Sequence, residues 1–356
     1  MDAKSAVASL VLGVASVSLA GCAALPWPSG AARERAGASA AGEGGWLDLR
    51  GVVHVHTRVS HDSPGTIGEI VDAAHGAGVD FVAFAEHPRG ATLAAASGEV
   101  EGVLLIPGWE LSTDGGGSLL ALGISDRTAL PREPPALVEA IHARGGAAFV
   151  AHFERSVLAD PARYGEARPD GIELVNLHAN AKDASFRLAL GELFLPAPLA
   201  LGVLVQTPNA NLERWAKLAD ARAIVGGVDA HARFRALGPL GGTVDRYRDL
   251  FRLLTTHVRV RERSTAAIVE ALREGRSYVA FEGIEPVERF EAEREPGGVR
   301  VRAPRAARLA LVCAGAVASE VDDAGEARLA WPDGRERCHV EAWLDGELWI
   351  ATSRLD

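Results

Sequence analysis

The chain is short of lysine, of net positive charge and of long apolar runs, and each shortage narrows what it can be. Lysine stands only at Lys4, Lys182 and Lys217, and arginine supplies the rest of the basic residues. With alanine and glycine also heavily used, that skew follows coding composition and carries no function. The net charge is −10, which argues against nucleic acid or anionic lipid as the main partner. The apolar run at 6–20 is too short for a comfortable membrane span. No internal repeat is evident. The glycine runs at 115–117 and 226–227 form no phosphate-loop pattern. No serine or cysteine stands in the context of a catalytic triad. What remains is 356 residues, 48% apolar and 24% charged, enough for one large α/β domain and a small one.

The first residues read as a targeting segment. Lys4 precedes the apolar run, and small residues close it. Leu19-Ala20-Gly21-Cys22 resembles a bacterial lipobox, in which the cysteine is lipidated and becomes the mature N-terminus. A plain signal peptide with an incidental cysteine is the alternative. The reading is a lipoprotein signal at 1–21, lipidation at Cys22, and a flexible Ala/Gly/Pro/Ser-rich tether at 22–45. Ala23 follows the cysteine, with no Asp as a retention signal. The expectation is therefore an exported protein on the outer membrane, facing the periplasm or the cell surface, with the lipid as its only membrane contact.

After the tether, short apolar runs recur at 52–56, 81–85, 103–106, 147–151, 172–175, 203–206 and 223–228. Several are rich in β-branched residues, as buried parallel strands are. Helical patterns lie between them: 67–78 ends in glycine, 134–146 opens on proline, and 264–275 opens on serine and closes on glycine. Alternating strands and helices predict an α/β fold with a parallel sheet, and seven strands suggest a closed barrel over 46–284. LLALGI at 119–124 is a candidate extra strand. From 285 to 356 the runs become strand-like throughout and predict a small all-β sandwich. It holds Cys313 and Cys338, in a compartment that permits a bridge. A disulfide and two buried thiols both remain open.

Ionisable residues fall at the ends of the predicted strands. His54 and His56 end the first, Glu86 and His87 follow the second, and Glu110 the third. His152 follows the fourth, His178 and Asn180 the fifth, and Asp229 and His231 the last. In a parallel α/β barrel that end is where active sites lie. One such histidine is ordinary, but a series in register points to metal. The i, i+2 spacing of His54 and His56 predicts one strand face, and Asp229 and His231 repeat it. Imidazole with carboxylate suits Zn, Mn or Fe.

HVHTRVSHDS, FAEH, GWE, VAHFE and GGVDAHA, in this order, resemble the motifs of the PHP (polymerase and histidinol phosphatase) domain over about residues 50–283. The phrases GTIGEIVDAAHGAGVDFVAFAEH, LLALGI and ALREGRSYVAF are similar to the CehA/McbA branch of that family. The resemblance implies a distorted (β/α)7 barrel and two or three divalent metal ions. His54, His56, Glu110 and Asp229 match one ion's ligands. Glu110 would bridge to a second, joined by His152. Asp62 or His61, with His87 and His231, matches the third. A metal-bridging hydroxide would be the nucleophile, with Glu110 and Asp229 as catalytic residues through the ions they hold. Arg89, Arg155 and His178 are candidate substrate contacts; for each arginine a surface salt bridge is the alternative.

Two departures stand out. Ser118 occupies the position where the family pattern carries a histidine, which weakens the second ion position. Ala85-Glu86-His87 replaces the usual Thr-Asp-His. The implied activity is hydrolysis of a small-molecule phosphate ester. The alternatives are a carbamate or carboxylic-ester hydrolase with the same site, and a degenerate, non-catalytic metal-binding surface protein. The amidohydrolase superfamily, which also begins with HxH, fits the motif order less well.

Overall fold

The computed structural model describes residues 45–87, 96–183, 201–218, 221–234 and 243–356. The signal segment, Cys22, the tether up to residue 44 and Arg89 lie outside the described residues. Among the described residues no helix is long and apolar enough to cross a membrane.

The fold is mixed α/β around one large sheet. Strand β1 (Leu47–Val55) pairs in parallel with β2 (Phe81–Phe84) on one side and β9 (Ala223–Ala230) on the other. From β2 the parallel pairing continues to β4 (Val103–Ile106), which also carries the short β3 (Gly98–Val100). From β9 it continues through β8 (Gly171–Asn176) to β7 (Ala147–Val150). Then come β6 (Ser118–Leu122) and β5 (Gly108–Ser112), each antiparallel to its predecessor. A single parallel bridge joins Glu86, just beyond β2, to Trp109 in β5.

Both faces of β2, β4, β7, β8 and β9 are buried, which is why they read as unbroken apolar runs. Along β2, Val82 and Phe84 enter one apolar cluster, and Phe81 and Ala83 enter another. Helices α1 (Ile67–Ala77) and α2 (Pro134–Ala143) pack on the first cluster. Their ends follow local chemistry. Thr66 and Glu69 form a capping box at the start of α1, and Gly78 closes it at φ 66°. Pro134 opens α2 behind the Glu133 cap. The short α3 (Leu177–Asp183) follows β8 directly, and α4 (Asn209–Lys217) and α5 (Tyr247–Leu250) flank β9. The first half of β1 pairs with the antiparallel β10 (Thr255–Val260), which pairs in turn with β11 (Ser277–Ala280); α6 (Thr265–Arg273), which packs on the second cluster, joins these two.

From residue 285 the strands are antiparallel. They are β12 (Glu291–Glu295), β13 (Gly298–Cys313), β14 (Ala316–Ala330), β15 (Cys338–Leu344) and β16 (Glu347–Thr352). They enclose a third apolar cluster, including Phe290, Leu309, Leu311 and Trp349. β16 pairs with β11, so these strands continue the main sheet. Cys313 and Cys338 are opposite one another across β13 and β15 and form a disulfide.

One expected strand differs. Residues 203–206 are not in a strand; Gly202–Leu204 is a 3₁₀ turn. The Leu204 carbonyl accepts from Asn180 Nδ2 at 2.9 Å rather than from a ladder, and this also turns Asn180 to a structural task. Four strands sit outside the expected set: β3, β5, β10 and β11.

Candidate metal centre

Six imidazoles and three carboxylates converge beyond the ends of β1, β2, β7, β8 and β9 and on β5. Backbone geometry aims them. His54, His152 and Asp229 all lie in the left-handed region, at φ 68°, 47° and 48°, which costs a non-glycine residue energy and recurs at functional sites. His54 sits in a bulge: the register of β1 against both β2 and β9 shifts between Val53 and Val55. Val52 and Val55 consequently share one apolar cluster, and Val53 enters the other. His54 and His56 therefore meet through a bulge, where the i, i+2 spacing alone predicted a regular strand face.

Glu110 is at the middle of the contacts. It comes from β5, a strand the apolar pattern did not reveal, entered at Gly108, where a Cβ would lie 2.2 Å from the Phe84 carbonyl oxygen. Glu110 Oε2 lies 3.3 Å from His54 Nε2, 3.7 Å from His87 Nδ1 and 4.0 Å from His56 Nε2. Its Oε1 lies 3.3 Å from His152 Nε2. Asp229 Oδ1 is 3.4 Å from His54 Nε2, 3.2 Å from His56 Nε2 and 3.4 Å from His231 Nδ1, and Oδ2 is 3.8 Å from His152 Nε2. Asp62 Oδ2 gathers His87 Nε2 at 3.4 Å and His231 Nε2 at 3.5 Å. His61 is set further out, 4.0 Å from Asp62 and half exposed.

The ligand-type atoms fall into overlapping groups: His54, His56 and Glu110; His54, His152 and Asp229; His56, His87 and His231; and His178, His231 and Asp245. The first three groups together contain seven of the eight residues marked as ligands from sequence. Asp62, the eighth, joins through His87 and His231. Ser118 brings neither an imidazole nor a carboxylate; its carbonyl accepts from Ala151 N at 3.0 Å, next to His152.

The donor set fits divalent cations. His56 Nε2 and Asp229 Oδ1 are buried and 3.2 Å apart, yet neither makes a hydrogen bond. Two ligand-type atoms this close and without a hydrogen bond are spaced as ligands of one ion are. Asp62 Oδ1 and His178 Nδ1 are likewise buried without partners. Electrostatics agree. Burial opposes ionisation of Glu110, but His152 and His54 overcome it and hold the acid well below its ordinary value. Burial also opposes ionisation of Asp229, which His54, His56 and His231 hold low. Among the imidazoles, burial pushes His56 down to about 3, with His231 and His54 contributing. Burial lowers His178 to about 4. His152 is raised to about 9: burial works against its charge, and Glu110, Glu173 and Asp229 outweigh it. The carboxylates thus demand positive charge, which protons or divalent ions can supply but not both at one imidazole.

Around this core, two acids serve other groups. Glu86 is fully buried and accepts from Thr57 N, Thr57 Oγ1 and Ser60 Oγ at 3.1, 2.6 and 2.6 Å. It fixes the turn that leads to Asp62. Glu173, inside β8, was not among the residues singled out from sequence; it accepts from His54 Nδ1 and from His152 N, both at 2.6 Å. A single acid in the run IELV was its only sequence signal. Arg155 is exposed, in the turn after His152. His178 packs against His231 and Phe234, with ring centroids 5.2 and 5.5 Å away.

No family model and no curated protein matches this chain. Among solved structures, it is similar to a two-domain protein from Bacteroides vulgatus containing a predicted PHP-like metal-dependent phosphoesterase. That likeness covers 88% of this chain and 96% of the other, at 17% identity and a TM-score of 0.42. A second likeness is to PsfC from Pseudomonas syringae, covering 66% of this chain and 91% of that one, at 17% identity and a TM-score of 0.36. Both likenesses are distant, and the functional reading rests on this chain's own residues.

Proposed function

We propose that the chain is a metal-dependent hydrolase of the PHP type, in the CehA/McbA branch, acting on small-molecule phosphate esters. The observation that carries the reading is the convergence of buried, unpartnered His56 Nε2 and Asp229 Oδ1 within a cluster of histidines around Glu110. Support for a (β/α)7-type barrel comes from the pairing path, which runs from β2 through β1 and β9 to β5 and meets β2 again at the Glu86–Trp109 bridge. Residues 285–356 would then be an appended β unit.

His54, His56, Glu110 and Asp229 would hold one ion. Glu110 and His152 would hold a second, and Asp62, His87 and His231 a third. Zn, Mn or Fe there would supply Lewis acidity and a nucleophile at neutral pH. The chain itself does the rest. Glu110 and Asp229 stay ionised and fix the spacing of the imidazoles. His178, neutral because burial holds it at about 4, offers a hydrogen bond to the substrate. Arg89 and Arg155 follow ligand histidines and suit phosphate oxygens. Replacement of the expected histidine by Ser118 makes the second position the weakest. The chain would act as an exported lipoprotein attached through Cys22; a Cys22→Ser variant that still takes up a labelled fatty acid would refute the attachment.

The test is to load the purified protein with Zn(II) or Mn(II), count ions per chain, and assay p-nitrophenyl phosphate, bis(p-nitrophenyl) phosphate, and aryl esters and carbamates. Two or more ions with turnover of a phosphate ester is the expected result. Turnover confined to the esters or carbamates would move the substrate class. One tight ion with no hydrolysis would leave a binding protein.

A further inference from the structure

We infer that Glu173 is a positioning residue that holds His54 and His152 with one carboxylate and thereby couples the two ion positions these histidines serve. The inference rests on the metal-centre reading above and adds to it a residue outside the ligand set.

Glu173 is fully buried. Its Oε1 accepts from His54 Nδ1 at 2.6 Å and from Asn176 Nδ2 at 3.1 Å. Its Oε2 accepts from the His152 main-chain N–H at 2.6 Å and from Asn176 Nδ2 at 3.2 Å. The carboxylate oxygen is the acceptor, so the hydrogen of this ring contact belongs to His54 Nδ1. That leaves His54 Nε2, which faces Glu110 and Asp229 at 3.3 and 3.4 Å, as the atom that binds a cation. The second contact serves a different residue. His152 has left the β7 ladder, which ends at Val150 opposite Ile172, and stands at φ 47°. Without Glu173 its N–H would lose its partner, in a backbone conformation already strained. One side chain therefore sets the ring of one ligand and the main chain of another.

The fold makes room for this acid. Gly227 lies beside it on β9, and a Cβ at that position would stand 1.7 Å from Glu173 Oε1. The register of β8 against β9 slips between Glu173 and Val175. The glycine and the acid are thus a matched pair across two strands. Glu173 belongs to none of the groups of converging ligand atoms, because it meets His54 from the Nδ1 side, behind the ring.

The test compares wild type with Glu173→Gln, which keeps the volume and removes one of two acceptors. In calorimetric titration with Zn(II), the variant should bind both the first and the second ion about 10–100-fold more weakly, and the second ion should lose its dependence on the first. A readout that needs no variant is the ¹⁵N spectrum of zinc-loaded wild type, where His54 should carry its proton on Nδ1. Wild type with the proton on Nε2, or Glu173→Gln with both affinities unchanged, overturns the inference and leaves the metal centre standing. Wild type that binds no zinc overturns both.

Discussion

β1 carries a buried cluster of histidine and acid at each end, and the two are built on different terms. At its start, Asp48 accepts from Tyr278 Oη at 2.6 Å and contacts His257 Nδ1 at 3.0 Å. Arg50 Nη2 pairs with Glu282 at 2.9 Å, and Glu282 also accepts from Thr255 Oγ1 and Val287 N. This cluster contains its own permanent cation. At the far end of the same strand, the partners of Glu110, Asp62 and Asp229 among the described residues are histidines, whose charge depends on protons. The start of the strand is neutralised by the chain, and the end takes its positive charge from outside it. A polar cluster that closes on its own ion pair is architecture. One whose carboxylates meet only histidines among the described residues is a receptor for cations.

The sharpest way to break this comparison is to remove one acid from each end. Asp229→Ala should reduce phosphate-ester turnover by about 10³-fold, the scale of losing one preorganised charge at a reacting centre, and lower the ion count. Stability should change less than at the other end, because the histidine partners of Asp229 can release their protons and leave no charge stranded. Glu282→Ala should do the reverse. It strands Arg50 in a buried setting and should cost about 3–5 kcal/mol by denaturant unfolding, with ion stoichiometry intact. If Asp229→Ala unfolds the protein while Glu282→Ala abolishes ion binding, the assignment of the two ends is inverted.

pH separates the ends in a second way. His152, raised to about 9, carries a proton at pH 7 before an ion enters, and His54 is shifted in the same direction. Zn(II) must expel such protons, so affinity should rise with pH up to about 9, by about tenfold per unit for each proton displaced. Titration in buffers of different ionisation enthalpy reads the proton release directly. The other cluster acts on folding. Burial opposes the charge of Glu282, but Arg50 and His257 hold its pKa below the ordinary 4.5. Its contribution is present above that value and is lost as pH falls through the depressed one. Burial likewise opposes the His257 charge, which Asp48 and Glu282 raise above the ordinary 6.5. Its contribution is complete below 6.5 and is lost as pH rises through the elevated value. Unfolding midpoints that ignore both limits would contradict this network.

The smallest effect concerns backbone alone. Asp229→Gly should be about 1 kcal/mol more stable than Asp229→Ala, because only glycine occupies φ 48° without strain. Equal midpoints would show that the strain is absent.

Much of the centre was legible because ion binding restricts side-chain type. His54, Glu110, His152 and Asp229 are recognisable as residues with few other reasons to end apolar strands in series. What supports them was not legible. Glu173 is one acid in a strand-like run, indistinguishable from a residue facing solvent until its neighbours are placed. The bulge at His54 leaves no mark in GVVHVH, since left-handed backbone at a non-glycine residue has no composition signal. The fold divided in the same way. Strands buried on both faces announced themselves, and β5 and β10 did not, because GWELS and TTHVRV carry polar residues inward. The run at 203–206 looked like a strand and is none, since apolar character reports burial and not pairing.

The left-handed ligands have a consequence outside chemistry. At positions 54, 152 and 229 the backbone conformation alone favours glycine, and the side chains stand there against that preference. A relative freed from selection for those side chains loses the reason to keep them. Whether residues 54, 152 and 229 are still histidine, histidine and aspartate in a relative is thus a record of whether its chemistry is still in use.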